Sequence, residues 1–303
     1  LFEDAKPQLF RGKSREEKFI IGCKLAHQIQ IAVLESILRG HLPVKRNSTL
    51  LLNDNGLLLS KGEAKAVAKV AIDDLQELLI KLCKVYDLEE FSTIKLTLVS
   101  EAEDSSDANY DIAISFNDTL NVSVPTTHIQ DISFHHSVAY EEQPIEPMRA
   151  VNTDADLLVY FLTYIFRHPE FNEGQHEAIS RAMLGQDTIV LLPTGAGKSV
   201  AYQLTSLLMP GVMIVVSPLI ALINDQLDNL RKIGIDRVIS ITSQTRDVTE
   251  RERAYDAFEQ AQFLFCYVAP ERFQMDEFRT AIQALKQCTP VSVIAVDEAH
   301  CVS

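Results

Sequence analysis

Three hydrophobic rhythms follow one another along the chain. Between Arg15 and Arg39 the apolar positions Phe19, Ile20, Cys23, Leu25, Ala26, Ile29, Ile31, Ala32 and Leu34 keep the spacing of a helix, and Gly40 stops it. A second helix is predicted over Gly62–Val85, with Ala66, Val67, Val70, Ala71, Leu75, Leu78, Leu79 and Leu82 on its apolar side. The period then becomes two. Ile94, Leu96 and Leu98 alternate with polar neighbours, as do Ile112, Ile114 and Phe116, and then Leu120, Val122 and Val124. This predicts three strands of an antiparallel meander, with a tight turn at Asn117-Asp118. Residues 1–148 therefore read as a small α+β domain, closed by the proline-bearing linker EEQPIEP at 141–147.

The third rhythm occupies 149–303. Short unbroken apolar runs at Thr188–Leu192, Val212–Val216, Val238–Ile241, Phe263–Val268 and Val291–Val296 alternate with helical stretches. Unbroken runs suit strands buried on both faces, and the βαβ alternation predicts an α/β domain with a mainly parallel sheet. Ligands of such sheets sit at the carboxyl ends of the strands, so the residues just after each run are the ones to inspect.

Composition narrows the class. Hydrophobic residues are 47% and charged residues 23% of the 303, which is a globular balance. No apolar run approaches the ~20 residues of a membrane helix, and no secretory signal opens the chain. Residue 1 is not Met, which leads to the expectation of a piece of a longer protein. The five cysteines lack metal-ligand spacing and are odd in number, as expected of free thiols in a reducing cytosol.

Charge cuts against nucleic-acid binding at first sight. The formal net charge is −14. Leu96–Met148 holds ten acids and no Lys or Arg, so that stretch is no phosphate surface. It repels nucleic acid, faces a basic partner, or is simply a solvated sheet surface. Residues 151–303 carry 12 basic and 19 acidic groups, a balance of −7. Net charge is not local potential, and strand contacts can use backbone N–H groups.

Two segments carry chemistry. The first apolar run leads into Leu191-Leu192-Pro193-Thr194-Gly195-Ala196-Gly197-Lys198-Ser199, and a helix starts near Gly197. Glycines at 195 and 197 let backbone N–H groups close on phosphate oxygens, and the helix N-terminus adds partial positive charge. Lys198 reaches β- and γ-phosphates, and Ser199 offers a hydroxyl to Mg²⁺. Position 192, glycine in the strict pattern, is Leu. The last run ends in Asp297-Glu298-Ala299-His300. There Asp297 would hold hydrated Mg²⁺, and Glu298 would orient and deprotonate an attacking water.

With these blocks stand FNEGQHEAI (171–179), VVSPLIALINDQ (215–226), YVAPERF (267–273) and VDEAHCVS (296–303). In order and spacing they resemble the first motor domain of a RecQ-type DNA helicase of superfamily 2. The resemblance covers about 150 residues and leaves 1–148 unread. It implies a RecA-like fold for 149–303, ATP and Mg²⁺ as cofactors, and single-stranded or partly duplex DNA as partner, with 3′-to-5′ polarity. It implies that Gln175 reads adenine, that Thr194, Gly195, Ala196, Gly197, Lys198 and Ser199 hold the phosphates, and that Ser199 and Asp297 hold the metal. Lys198, Asp297, Glu298 and His300 are then the catalytic set, with His300 coupling the site to motifs further on. Ser217, Pro218, Leu219 and the Pro270-Glu271-Arg272 block, Arg272 above all, would contact one DNA strand.

Two departures stand out. The family's Phe-Arg before the glycine and glutamine is Phe171-Asn172, with Arg167 the candidate substitute. The second motor domain is not among the 303 residues, so the chain alone is expected to hydrolyse ATP poorly. An RNA-directed ATPase and a nucleotide-sensing interaction protein remain the alternatives. Cytoplasmic location, near the nucleoid if the source is bacterial, follows by implication. A DNA-modification or phage-defence setting, and a protein partner for the N-terminal domain, are the remaining expectations.

Overall fold

The computed structural model describes residues 77–87, 149–193, 195–233, 235, 237–243, 248–261 and 263–301, together with strands at 47–53, 95–100, 112–115, 126–127 and 132–135. The chain divides into two compact units, with the main break between Glu142 and Gln143. The helix predicted at 15–39, the strand at 120–124 and the linker at 141–147 lie outside the described residues. Of the second predicted helix, residues 77–85 are described and are helical.

The N-terminal unit holds a five-stranded sheet in the order β2-β1-β3-β5-β4. Its strands are β1 (Asn47–Asn53), β2 (Lys95–Ser100), β3 (Ile112–Ser115), β4 (Thr126–Thr127) and β5 (Ile132–His135). The predicted strands at 94–98 and 112–116 form, but the antiparallel meander does not. β1 lies between β2 and β3 and runs parallel to both, with Leu50 paired to Leu98 on one side and Ile112 on the other. Among the described residues only β3–β5 and β4–β5 are antiparallel. A period of two reports which face of a pleat is apolar; it carries no information on partner or direction.

The C-terminal unit is an α/β fold around a four-stranded parallel sheet, β7-β8-β6-β9. Its strands are β6 (Val212–Val216), β7 (Val238–Ile241), β8 (Phe265–Val268) and β9 (Val291–Val296). Between and before them run α1 (Ala155–Phe161), α2 (Gln175–Met183), α3 (Lys198–Leu208), α4 (Ile220–Lys232), α5 (Val248–Glu259) and α6 (Asp276–Cys288). α1 continues into a π-helical turn, Leu162–Phe166, closed by Arg167 at φ 62°. Arg231 and Lys232 in the last turn of α4, and Asp276 and Glu277 in the first turn of α6, complement the helix dipoles.

β6 and β8 are buried at every position, as their unbroken apolar runs require. One face of the sheet, bearing Val212, Ile214, Val216, Cys266 and Val268, packs on Tyr255, Phe258, Phe263 and Phe278. Phe258 stacks on Phe263 at 5.3 Å between ring centroids and tilts onto Phe278 at 5.2 Å. Each such ring contributes about 1.5–3 kcal/mol by leaving water.

Two expectations fail at the sheet margin. Thr188–Leu192 is not a strand, and Ile189 and Leu191 are each 90% exposed. β9 is an edge strand, with Ile294 63% and Val296 48% exposed. Extended backbone becomes a strand only with a ladder partner, and among the described residues none lies beside 188–192.

Candidate functional site

All four strands of the parallel sheet point the same way, so the segments that follow them emerge at one rim. β6 delivers Ser217, β8 delivers the turn Pro270–Gln274, and β9 delivers Asp297. The Asp297 N–H donates to the Val216 carbonyl at 2.9 Å and extends the β6–β9 ladder by one bond. This fixes the carboxylate at the strand end. Asp297 is half-buried, and that burial pushes its pKa above the usual carboxylate range. A hydrogen bond from the Glu298 N–H to Asp297 Oδ1 at 3.0 Å and the charge of Lys198 pull the other way, while the Glu298 charge raises it. The residue from the glycine loop and the residue from the last strand therefore lie within electrostatic reach of each other.

Glu298 adopts φ 48°, a left-handed conformation that costs a non-glycine residue about 1–2 kcal/mol. Its Oε2 lies 3.3 Å from His300 Nδ1. The tight turn aims the two acids differently: Asp297 inward beside β6, Glu298 toward His300, whose side chain is exposed.

The glycine loop is held from beneath by two amides. Gln175 opens α2 and is 3% exposed. Its Oε1 accepts from the Asn172 N–H at 2.8 Å, and its Nε2 donates to the carbonyls of Ala196 at 3.2 Å and Gly197 at 2.9 Å. Asn172 Nδ2 donates to the same Ala196 carbonyl at 3.1 Å. Gly197 has φ 77°, and a Cβ there would collide with the Gln175 amide, so glycine is required twice over. Lys198 Nζ donates to the Leu192 carbonyl at 3.2 Å, closing the loop on itself. Arg167 takes no part; its guanidinium lies over the Tyr164 ring, 5.7 Å from the centroid. Asn172 thus acts through the loop backbone, where the sequence pattern had suggested an arginine. Thr194 lies outside the described residues.

Ser199, two residues into the helix, accepts a hydrogen bond from Gln226 Nε2 at 2.9 Å. Near it, the buried Tyr202 Oη lies against Ser199 and Tyr267. Burial first, and then the charges of Tyr267 and Asp297, push the Tyr202 pKa well up. The Ser199 hydroxyl and the Asp297 carboxylate, with the Tyr202 phenol beside them, form an all-oxygen set. That set suits a hard divalent cation that keeps several of its waters, which is the character of Mg²⁺.

The predicted strand-contacting residues divide. Leu219 is 52% exposed at the start of α4, while Pro218 is half-buried. Ser217 is 1% and Arg272 9% exposed. Arg272 Nη1 lies 3.1 Å from Met275 Sδ, and its Nε has no partner. Both side chains sit under the rim. Gln203, Gln226, Tyr202 and Tyr267 were not singled out by the sequence reading. The available signal was Gln203, an amide four positions after Ser199 and so on the same face of the helix.

A parallel sheet entered from a helix that opens on Gly-Lys-Ser, with an acid delivered at the same rim by an edge strand, defines a phosphate-loop nucleotide-binding domain. Residues 172–303 match the family described as DEAD/DEAH box helicase. The ATP-dependent DNA helicase RecQ of Haemophilus influenzae is 37% identical over 142 residues, which are 47% of this chain and 22% of the relative. The ATP-dependent DNA helicase Q-like 5 of Arabidopsis thaliana is 36% identical over 156 residues, 51% of this chain and 16% of the relative. RecQ of Bacillus subtilis is 36% identical over 144 residues, 47% and 23% respectively. Over this segment the chain is similar to the motor domain of RecQ-type superfamily 2 helicases. The match spans only 16–23% of the length of these relatives.

Proposed function

We propose that the whole protein is an ATP-driven DNA motor that moves 3′-to-5′ along one strand and separates duplex. The observation that carries this reading is that Asp297, fixed at the end of β9 by its bond to the Val216 carbonyl, lies within electrostatic reach of Lys198. Lys198 exchanges the Leu192 carbonyl for the β- and γ-phosphate oxygens, and the N–H groups of Gly195–Gly197 close on the phosphates. Ser199 and Asp297 hold Mg²⁺, which, when bound, neutralises charge building on the phosphate oxygens. Glu298 orients the attacking water and takes its proton on a carboxylate oxygen. His300, paired with Glu298, is placed to report the state of that carboxylate to segments beyond the rim.

Gln175 and Asn172 hold the loop's Ala196–Gly197 carbonyls, so adenine recognition by Gln175 requires its amide to be shared with the loop or released from it. Leu219 and backbone groups of the Ser217-Pro218-Leu219 block face the DNA strand. Ser217 and Arg272 support the rim from below. A cytoplasmic, nucleoid-associated setting, a defence or DNA-modification role, and a basic protein partner for the acidic N-terminal stretch belong to the same proposal.

The test uses the full-length protein. Lys198→Ala and Glu298→Gln are each expected to lower ATPase activity stimulated by single-stranded DNA by at least about 100-fold. Activity surviving either change overturns the assigned roles. Stimulation by RNA in place of DNA favours the RNA-directed alternative. ATP binding without separation of 3′-tailed duplexes favours a sensing protein.

A further inference from the structure

On the sheet face opposite the aromatic cluster, uncharged polar side chains from three elements form a continuous chain. Gln226 of α4 donates from Nε2 to Ser199 Oγ at 2.9 Å. Its Oε1 accepts from Gln203 Nε2 of α3 at 3.1 Å, and the same Gln203 amide nitrogen donates to Tyr267 Oη of β8 at 3.1 Å. Gln203 is 4% and Tyr267 0% exposed. Polar groups are costly in such surroundings unless paired, so their pairing dictates their orientation.

The orientation has a consequence for Ser199. Gln203 turns only a donor toward Gln226, so Gln226 must present its oxygen to Gln203 and its nitrogen to the serine. Ser199 Oγ then accepts from Gln226 and lies against Tyr202, so the rotation of its hydroxyl is set by these two neighbours. A ligand atom held this way by a partner that does not itself touch the metal is the usual arrangement around bound cations.

We propose that Gln226 is a positioning residue for the cation site, setting the Ser199 hydroxyl for Mg²⁺, with Gln203 and Tyr267 as the buttress that sets Gln226. This rests on the nucleotide-motor reading above. The experiment is Mn²⁺ binding, followed by electron paramagnetic resonance in the presence of a saturating non-hydrolysable ATP analogue. Analogue binding in EDTA is measured in parallel. Gln226→Met keeps length and removes both hydrogen bonds. It is expected to weaken Mn²⁺ binding by about tenfold while leaving analogue binding in EDTA unchanged. Gln203→Met, which frees Gln226 to turn over, is expected to give a smaller loss of the same kind.

Ser199→Ala combined with Gln226→Met is expected to bind Mn²⁺ no more weakly than Ser199→Ala alone, because both changes remove one interaction. Unchanged Mn²⁺ affinity in Gln226→Met, or losses that multiply in the double variant, overturns the inference. Lys198→Ala separates this from failure of the underlying reading. Analogue binding in EDTA that is absent from the unaltered protein, or unaffected by Lys198→Ala, overturns the nucleotide reading itself.

Discussion

Asp297 shows at single-residue scale how the site is in tension with folding. Burial raises its pKa, so the folded chain binds this proton more tightly than the unfolded chain does. The stability attached to that proton is complete below the ordinary carboxylate pKa and is lost as pH rises through the raised one. At neutral pH the ionised group is therefore a burden on the folded state. Asp297→Asn is expected to raise the melting temperature at pH 7, with the gain vanishing near pH 3 in thermal melts without nucleotide or divalent metal. A gain of equal size at both pH values would show that ionisation plays no part. The same ionised carboxylate is what a cation needs, so affinity for Mg²⁺ is expected to fall with acidity.

At the scale of elements, the sheet rests on the aromatic packing of α5 and α6. Phe258 is fully buried and touches both Phe263 and Phe278. Phe258→Ala should cost about 3–5 kcal/mol of unfolding free energy, read from the shift of a urea midpoint. A loss under ~1 kcal/mol would mean that α5 is not part of the cooperative core. Unbroken apolar runs made β6 and β8 legible, because a strand buried on both faces leaves no polar alternation, while β7 and β9 carry similar runs though they are only partly buried. The run at 188–192 looked the same and forms no strand, since the pattern describes side chains and says nothing of ladder partners. β1 was missed for a related reason: Asn47–Asn53 has three central leucines and polar ends, and its two parallel partners are distant in sequence.

Over the whole molecule, charge sets what binding to DNA can look like. The balance is −14 overall and −7 over 151–303, and the one basic side chain assigned to the strand, Arg272, is 9% exposed under the rim, so the proposed strand contacts rest on Leu219 and backbone groups. Single-stranded DNA binding by this chain is expected to weaken only gently with salt. The slope of log affinity against log salt should be on the order of −1 to −2, against roughly −0.7 for each phosphate neutralised. A slope steeper than about −4 would show that several basic side chains contact the strand and overturn this reading.

The glycine loop, the acidic tetrad and the order of the strand runs could be read directly, because each is a local requirement. A loop wrapping phosphate needs glycines at 195 and 197, and a helix N-terminus and a strand end each write their own signature. Tertiary structure alone decided that Asn172 and Gln175 clamp the loop, that Ser217 and Arg272 lie under the rim, and that Gln226 meets Ser199 across 27 positions of sequence. Those relations depend on which elements become neighbours, and neighbours are chosen by the burial and ladder pairing of the whole sheet. No single segment contains that choice.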